Sequence, residues 1–578
     1  MPSYPKLYRM ILGLAAALPA VGLAAPADAG RLLNEQQQLQ RPRLERLPQE
    51  EQRPIARPAP REVGGVTVRL KAVRFSGDVG LVGEERLQSL VGDALGKELD
   101  FNGLQALADR VTDYLRGEGY FLAHAYLPKQ YLTGGVVEIA LLAGRLQTMD
   151  DAIIIQGRLR ISPERLKSTA EGAVRPGQAL RESDLERAVL LINDLPGISA
   201  LSNIERGNEA GSVHLVVGAM EEPLFSGEIG LDNFGNRYTG AWRGTARLNL
   251  NDPLRIGDEL SLSVVGSTDY QIGQLSYDWP VNFSGLRAIL SYSSMRYTIG
   301  KELADLDASG SSSIIGAGVS YPFIRTRFLN LWVGVNYASK GLQDDAFGEH
   351  LRDRHINVWN TRLSGDSYDR LGGGGLNNFS ATLTTGDLDL SRVPSDLALD
   401  QTSGARTNGS YAKLGFTLAR LQKMTGRLSL FGALNGQVTD KNLDSSEKFI
   451  LGGPVGVRAY PIGEGAGDQG FLANIELRYE LPLVTALGNL QWIGFVDAGQ
   501  IKLHNSPWPG SIPTISGDNS YTLSGIGMGL NVTKGAAYAV HFAWATKIGN
   551  NRGASLTGLD SDGRSDDSRM WLYGVVWL

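Results

Sequence analysis

The stretch Gly452–Gly470, GGPVGVRAYPIGEGAGDQG, holds residue types that could serve either a specific contact or a flexible loop. Four glycines precede its first acidic residue, and Arg458 stands two positions before Tyr460. A guanidinium presents a planar fork of donors that can bind a carboxylate through two parallel hydrogen bonds. The order of residues is not that of a phosphate-binding loop or of a catalytic nucleophile. The candidate chemistry of this stretch is ion pairing, and the alternative is a mobile glycine-rich loop.

Enzyme chemistry has little support elsewhere in the chain. Of the six histidines, only His350 and His355, beside Asp353, are close enough in sequence for weak metal binding, and we expect them in a solvated external loop. There is no cysteine, so thiolate metal sites and disulfides are excluded. The sequence has no serine elbow, paired-carboxylate motif or HExxH pattern. We therefore predict a protein that is not an enzyme and that uses no metal and no cofactor.

Composition and charge exclude further classes of protein. The 578 residues include 72 glycines, and only 20% are charged, which favours many turns over helix bundles. The net charge of -5 gives no basic surplus, so we expect no nucleic-acid partner. At the amino terminus, Lys6 and Arg9 precede an apolar run, Met10–Ala25, and small residues follow up to Ala29. This pattern is typical of a secretory signal peptide, residues 1–29, cleaved after Ala29 or a few residues earlier.

A leader and a repeat follow the signal peptide. The leader, residues 30–64, is rich in Gln, Arg and Pro; its first part, Arg31–Gln40, can form one polar helix, and the prolines after it predict an extended linker. Residues from about 65 to 222 contain an internal repeat of about 80 residues, in which VRFSG is answered by IIIQG. Each copy reads as strand, helix, helix, strand, strand. We predict two tandem α+β modules, residues 65–148 and residues 149–222.

The second helix of each module has the clearest pattern. In the second module, Ser183 followed three residues later by Glu186 predicts a capping box at the start of the helix. In the first module, apolar residues recur at helical spacing on one face. They are Leu104, Leu107, Ala108, Val111 and Leu115.

From Phe225 to the end, the chain reads as about 16 segments of alternating polar and apolar residues, with almost no helical periodicity. No segment after the signal peptide has the roughly 18 apolar residues of a membrane-spanning helix, so a membrane-embedded form would have to be a closed barrel. The connections alternate between short turns and long polar loops, as expected of periplasmic turns and external loops. We predict a transmembrane β-barrel of about 16 antiparallel strands over residues 223–578, with the modules in the periplasm.

The same alternation indicates which side chains face the lumen. In GFLANIELRYEL a polar face alternates with an apolar face, so the polar face must be a wet lumen and the apolar face must contact lipid. In LQWIGFVDAG this parity directs Phe495, Asp497 and Gly499 inward. The glycine-rich stretch lies between predicted strands 11 and 12, in a long external loop of about residues 440–470.

Two tandem modules followed by a barrel with these motifs resemble the two-partner secretion transporters, the TpsB family of haemolysin secretion and activation proteins. Leu451–Tyr460 is similar to the Val-Arg-Gly-Tyr loop signature of that family, and Phe495–Gly499 is similar to its Phe/Gly-x-Asp-x-Gly strand signature. Asp232–Gly235 and Asn251–Leu254 look like the family's first hairpin. The residues that match the loop signature are Gly452, Gly453, Gly456, Val457, Arg458 and Tyr460.

For the site, the resemblance implies that the sixth external loop folds into the barrel, where Arg458 contacts Asp497. Tyr460, Phe495 and Gly499 would lie around this pair, and the leader helix would plug the lumen at rest. Because a hydrated lumen and desolvation both reduce the energy of such a pair, we expect it to fix the position of the loop more than to stabilise the barrel.

For the function, the resemblance implies an outer-membrane pore that recognises a cognate large exoprotein of the TpsA type, such as an adhesin, haemolysin or toxin. Recognition would use the modules, which look like polypeptide-transport-associated (POTRA) domains, and transport would need no nucleotide. The other expected partners are outer-membrane lipid and, during biogenesis, the barrel-assembly machinery; we expect a monomer. The alternatives are a barrel-insertion factor of the same superfamily and a diffusion porin, which needs neither the modules nor the loop signature.

Two positions depart from the family pattern. Ala459 stands where the loop signature has glycine, so a backbone turn that needs a positive φ would form less easily there. The chain ends in Leu578 where such barrels commonly end in an aromatic residue, and Trp577 stands one place earlier.

Overall fold

The computed structural model describes residues 27–39 and 67–578, apart from residues 133, 149, 150 and 210. The first described element is helix α1, Ala29–Leu39, which lies inside the barrel. Most of the predicted signal peptide and the predicted linker lie outside the described residues. Across the described ranges, no helix combines the length and the apolar character that crossing a membrane requires.

The first module is a small sheet packed against two helices. Its elements are β1 (Val68–Arg69), β2 (Ala72–Gly77), α2 (Glu84–Val91), β3 (Glu98–Leu99), α3 (Phe101–Gly117), β4 (His124–Tyr126) and β5 (Val136–Leu142). Strand β5 pairs with β2 in parallel and with β4 antiparallel, and β1 pairs with β3. All five predicted apolar residues of α3 are buried in the core of this module. The carboxylate of Asp100 caps α3 by accepting a hydrogen bond from the amide of Gly103 at 2.8 Å.

The second module repeats this arrangement. Its elements are β6 (Arg145–Leu146), β7 (Ile153–Gln156), α4 (Pro163–Glu171), α5 (Glu182–Asn193), β8 (Ile198–Arg206) and β9 (Ser212–Glu221). Strand β9 pairs with β6 and β7 in parallel and with β8 antiparallel. The predicted capping box is wrong, because α5 begins at Glu182 after Arg181, which makes no side-chain cap. The amide of Glu182 donates instead to the carbonyl of Gly119 in the first module, at 3.0 Å.

Sixteen antiparallel strands form a closed barrel, which confirms the predicted fold class. The barrel strands are β10 (Phe225–Asp232), β11 (Arg243–Asn251), β12 (Glu259–Gly266), β13 (Tyr270–Pro280), β14 (Arg287–Thr298), β15 (Ser309–Arg325), β16 (Leu329–Ala346), β17 (Glu349–Asp369), β18 (Gly375–Asp389), β19 (Gly409–Lys423), β20 (Leu428–Thr439), β23 (Gln469–Thr485), β24 (Gly488–Lys502), β25 (Ser520–Lys534), β26 (Tyr538–Lys547) and β27 (Ser568–Trp577). A separate pair, β21 (Phe449–Ile450) with β22 (Ala466–Gly467), lies between β20 and β23, and α6 (Pro394–Thr402) lies between β18 and β19.

The barrel closes between its last and first strands. Strand β27 pairs with β10 over Tyr573–Trp577. The amide of Leu578 then donates to the carbonyl of Gly227 at 2.9 Å, so the terminal residue also takes part in the closure.

The two faces of the barrel wall differ as the alternation predicts. On β23, Ile475 is 56% exposed and its neighbour Glu476 only 8%, and on β24, Val496 is 43% exposed whereas Asp497 is fully buried. An apolar outer face and a polar inner face are the pattern of a barrel in lipid.

The two histidines near Asp353 are on a strand, not in a loop as predicted. His350 and His355 both belong to β17, because β16 and β17 are so long that only residues 347–348 connect them. Nδ1 of His350 lies 2.5 Å from a carboxylate oxygen of Asp345. In the part of the chain that the structure describes, no three or more His, Asp or Glu side chains form a group that could hold a metal ion.

The second module contacts the short turns at one rim of the barrel. Arg325, at the end of β15, donates to both carboxylate oxygens of Asp194, at 2.7 and 3.0 Å. Gly257, in the turn between β11 and β12, packs so closely that a Cβ there would lie 2.6 Å from Leu195. These contacts fix the orientation of the second module relative to the barrel.

Replacing Arg325 by alanine should loosen this orientation. The Asp194 pair is partly exposed, so its loss should cost about 1 kcal/mol or less, enough to broaden the distribution of module positions without unfolding either part. Spin-label distances between the second module and the barrel rim would measure the effect. Arg427→Ala, in the exposed turn between β19 and β20, is the control and should leave the distances unchanged. Equal distributions for both variants would contradict the prediction.

Candidate functional site

The connection between β20 and β23, residues 440–468, is folded into the barrel and is called loop 6 here. Its central residues are almost entirely buried, although a loop outside the barrel would be solvated. Those without any exposed surface are Leu451, Val457, Ala459 and Tyr460, which form a cluster with residues of β23 to β26. Loop 6 is therefore a packed element of the lumen.

Arg458 of loop 6 binds Asp497 of β24 through both carboxylate oxygens. Nη2 donates to Oδ1 at 2.7 Å, Nε donates to Oδ2 at 2.8 Å, and the backbone amide of Arg458 donates to Oδ2 at 3.1 Å. The Arg458 guanidinium also lies over the ring of Phe495, 3.4 Å from its centroid. The contact that the resemblance implied for these residues is thus present, with the two-pronged geometry that suits arginine and not lysine.

Two further residues complete this contact and were not identified from the sequence. Nη1 of Arg458 donates to Oε1 of Glu476 at 2.7 Å, and Trp571 donates its indole N–H to the carbonyl of Arg458 at 2.7 Å. The alternation placed Glu476 in the lumen, but only the register of β23 against β24 brings it beside Asp497. We call Arg458, Asp497, Glu476, Phe495 and Trp571 the loop 6 anchor.

The remaining residues of the loop signature shape the backbone around the anchor. Gly453 has a φ of +114°, which only glycine adopts without strain. A Cβ at Gly456 would lie 2.0 Å from the carbonyl oxygen of Leu451, and a Cβ at Gly452 would lie 2.3 Å from that of Pro461. The amide of Val457 donates to the same Leu451 carbonyl at 2.7 Å. These glycines therefore allow the tight fold of loop 6.

Tyr460 and Gly499 each take part in a further contact between loop 6 and the barrel wall. Nζ of Lys547 lies 5.1 Å from the centroid of the Tyr460 ring, a cation–π distance. A Cβ at Gly499 would lie 2.5 Å from a methyl carbon of Leu451. Gly499 thus leaves room on the barrel wall for the side chain of Leu451.

The backbone turn that was expected to form less easily at Ala459 is not needed, because the φ of this residue is not positive. The space that its methyl group occupies is provided by Gly525 of β25, where an added Cβ would lie 2.6 Å from the Cβ of Ala459. The alanine is therefore accommodated by a glycine on the facing strand.

Loop 6 has a second charged contact with the wall, far from Arg458 in sequence. Glu447 is buried between Lys340 of β16, at 2.6 Å, and Lys413 of β19, at 2.8 Å. Burial alone would raise the pKa of Glu447, but the two ammonium groups lower it to about 2. Glu447 is therefore ionised at neutral pH and holds the first part of loop 6 against the wall.

The end of loop 6 contacts the external loop between β26 and β27, residues 548–567. Glu464 is buried and accepts hydrogen bonds from Asn551, at 2.9 Å, and from the amide of Ser561, at 2.6 Å. Its pKa is raised, mainly by burial and further by the nearby Asp560. Loop 6 is thus fixed at its start, its centre and its end.

Helix α1 lies inside the barrel beside loop 6. Arg243 of β11 donates to the side chain of Gln36 at 2.8 Å, and the side chain of Gln38 donates to the carbonyl of Ile450 at 3.0 Å. Oε2 of Glu35 accepts a hydrogen bond at 3.4 Å from the side chain of Asn236, in the external loop between β10 and β11. The position of α1 corresponds to that expected of a plug.

Below the loop 6 anchor, towards the short turns, the lumen is an open cavity that we call the vestibule. It is lined by β19, β20 and β23 to β27. Four of its side chains form a hydrogen-bonded row across adjacent strands: Gln491 donates to Glu480 at 2.6 Å, Asn531 donates to Gln491 at 3.0 Å, and Nδ1 of His541 lies 2.9 Å from Oδ1 of Asn531. Amide side chains both donate and accept, so this lining can bind the backbone of a polypeptide whatever its sequence.

A closed barrel with a loop anchored in its lumen, preceded by two α+β modules, defines an outer-membrane transport barrel with POTRA modules. The chain belongs to the haemolysin secretion/activation protein family ShlB/FhaC/HecB, whose sequence model matches residues 211–532. The ShlB-type POTRA domain model matches residues 68–144.

Individual relatives agree with this assignment. The heme/hemopexin transporter protein HuxB of Haemophilus influenzae (strain 86-028NP) is 26% identical over 478 residues, which cover 81% of each chain. The outer membrane transporter CdiB of Dickeya dadantii (strain 3937) is 23% identical over 494 residues, 83% of this chain and 85% of the relative. Among solved structures, CdiB from Escherichia coli has the same fold, with a TM-score of 0.75 at 20% identity over 96% of this chain and 100% of that chain.

The protein is therefore an outer-membrane transporter of the two-partner secretion class, with its barrel in the outer membrane and its POTRA modules in the periplasm. Members of this family are transporters rather than enzymes.

Proposed function

We propose that this transporter recognises one cognate exoprotein of the TpsA type in the periplasm and passes it, unfolded or partly folded, to the cell surface. The observation that carries the proposal is that loop 6 occupies the polar lumen and is anchored to the wall through side-chain contacts of Arg458 and Glu447, outside the strand ladder of the barrel. Ion pairs and hydrogen bonds of this kind can be exchanged for contacts with a passing polypeptide, whereas breaking strand pairs would open the wall. The loop 6 anchor is thus the proposed closing contact of the pore.

The vestibule is the proposed entrance. Its row of hydrogen-bonded side chains, from Glu480 to His541, offers donors and acceptors to an extended passenger directly below Arg458. Folding of the passenger outside the cell would drive transport, so we propose no nucleotide, cofactor or catalytic step. The strand order closes within one chain, in line with a monomer, which the barrel-assembly machinery would insert into the lipid.

For recognition we propose strand addition to the second module. Strand β8 pairs with β9 on one side, and among the described strands none pairs with its other side. Leu201 on this strand is 73% exposed, and Met220, opposite Ser199 on the same face, is 62% exposed. An extended passenger segment could pair with the free edge of β8 and place apolar side chains against these two residues.

Cross-linking tests the recognition step. A photoreactive amino acid at Leu201 should link to a co-expressed candidate exoprotein, whereas the same amino acid at the exposed Arg175, outside β8, should not. Deleting residues 67–222 should abolish secretion while the barrel remains folded in the outer membrane. Secretion that survives this deletion would contradict recognition by the modules, and equal cross-linking at both positions would contradict the role of β8.

A further inference from the structure

The residues at the start of helix α1 are fitted closely into the barrel, although the sequence alone assigns them to the signal peptide or its boundary. Ala29 has no exposed surface, and its amide donates to Oδ1 of Asp344, on β16, at 2.8 Å. Gly30 packs against loop 6 so tightly that a Cβ would lie 2.4 Å from the hydroxyl of Ser445. These contacts need the backbone of Ala29 as well as that of Gly30.

Asp28 precedes the helix and acts as its amino-terminal cap. Its Oδ1 accepts a hydrogen bond from the amide of Arg31 at 2.8 Å, and its carbonyl accepts one from the amide of Leu32 at 3.0 Å. An aspartate at this position satisfies amides that would otherwise have no partner, and it places a negative charge at the positive end of the helix. Because α1 has only 11 residues, it depends on such contacts to remain helical.

The same carboxylate connects the helix to loop 6. Oδ1 of Asp28 also accepts from the hydroxyl of Ser445 at 2.7 Å and lies 3.7 Å from Nη2 of Arg354, on β17. Arg354 is almost completely buried and donates to Asp444 of loop 6 at 2.8 Å and to Asp344 of the wall. One guanidinium therefore holds a carboxylate from each of three parts: the leader, loop 6 and the barrel wall.

We infer that the signal peptide is removed ahead of Asp28, so that the mature transporter retains Asp28 and uses it to anchor the leader helix to Arg354 and loop 6. A cut after Ala29 would remove the cap, the Ser445 contact and the amide that binds Asp344. The sequence allows an earlier cut, because Ala25 and Ala27 supply small residues at the third and first positions before the bond between Ala27 and Asp28. Gly22 and Ala24 supply the same pattern for a cut after Ala24.

The amino terminus of the mature protein tests the first part of this inference and does not depend on the proposed passenger. The full chain would be expressed with its own signal peptide, purified from outer membranes, and characterised by amino-terminal sequencing and intact mass. A mature chain that begins at Asp28 or at an earlier residue is the expected result. A chain that begins at Ala29, Gly30 or later would overturn the inference.

The anchoring role is tested by ion current through the purified transporter in planar lipid bilayers. Asp28→Ala should raise the current by about fivefold, a factor in the range that loss of a helix cap produces, because the leader helix would leave the lumen more often. Asp28→Asn, which retains a capping oxygen but not the charge, should give an intermediate current. Gln37→Ala, at the exposed position of α1, is the matched control and should behave as the unmodified protein.

The amino terminus of each variant would be sequenced, so that an altered cut is not mistaken for a released helix. An Asp28→Ala current equal to that of the Gln37→Ala control would overturn the anchoring role. An Asp28→Asn current equal to that of the unmodified protein would overturn the contribution of the ion pairs that the Asp28 carboxylate makes with Arg354, at 3.7 Å, and with Arg352, at 3.6 Å.

Discussion

Arg458→Ala should reduce secretion of a co-expressed candidate exoprotein by about tenfold or more while the barrel remains folded. The substitution removes the cation that binds Asp497, which is fully buried, whereas Glu476 keeps its ion pair with Arg478. Removing one partner of a buried ion pair typically costs about 3–5 kcal/mol, because the remaining charge has no compensation. We expect loop 6 to leave its place against β24, so that the lumen loses its defined closed arrangement.

Secretion would be measured beside the amount of heat-modifiable, folded barrel in the outer membrane. Arg458→Lys retains the charge but not the two-pronged geometry and should give an intermediate loss. Arg420→Ala is the matched control, because Arg420 also binds an aspartate, Asp369, through both oxygens, but at a more exposed position, and it should change secretion little. Normal secretion by Arg458→Ala would show that the loop 6 anchor has no part in transport.

Gly525→Ala should cause the second largest loss of secretion. The added Cβ would lie 2.6 Å from the Cβ of Ala459, closer than such atoms approach each other, and the carbonyl of Thr546 would lie 3.2 Å away. Strand β25 is part of the barrel ladder and cannot easily shift, so loop 6 must move and carry Arg458 with it. Overpacking of this kind typically costs about 1–3 kcal/mol, so we expect a loss of secretion several-fold in size but smaller than that of Arg458→Ala.

A second substitution distinguishes this steric explanation from a general defect. Ala459→Gly removes the opposing methyl group and should restore secretion when combined with Gly525→Ala. Gly273→Ala, on β13, is the control, because an added Cβ there meets nothing within 4 Å. Failure of the double variant to recover, with normal amounts of folded barrel, would exclude direct packing between positions 459 and 525 as the cause.

Most of the fold could be predicted because the alternation of barrel strands and the spacing of apolar residues in helices are visible in short stretches of sequence. An alternation of two residues identifies barrel strands and also assigns Asp497 to the lumen, and the repeat of the two modules identifies their common architecture. The helical period of α3 was equally clear. The start of α5 could not be predicted from local sequence. The helix begins where the amide of Glu182 contacts the carbonyl of Gly119 in the first module, and not at the capping signal of Ser183.

The partners of the site residues were less predictable. Arg458 and Asp497 came from the family resemblance, and no local pattern connects two residues on different strands and loops. Lys340 lies 107 positions from Glu447, and Trp571 lies 113 positions from Arg458, so only the closed barrel brings them together. The role of Gly525 could not be predicted from the sequence either, since the need for a glycine there depends on the methyl group of Ala459, which packs directly against it.

Two of the ion-pair contacts that attach loop 6 to the barrel wall lie on different parts of the wall: Glu447, at the start of the loop, binds β16 and β19, and Arg458, at its centre, binds β23 and β24. Loop 6 therefore crosses the lumen with contacts on more than one part of the wall, and it is not held at a single point. If the Arg458 contacts break while the Glu447 contacts remain, loop 6 moves away from one side of the lumen and still covers the opposite side. Such a pore would widen in steps that follow the thickness of its passenger, and the outer membrane would stay tight to small solutes during transport.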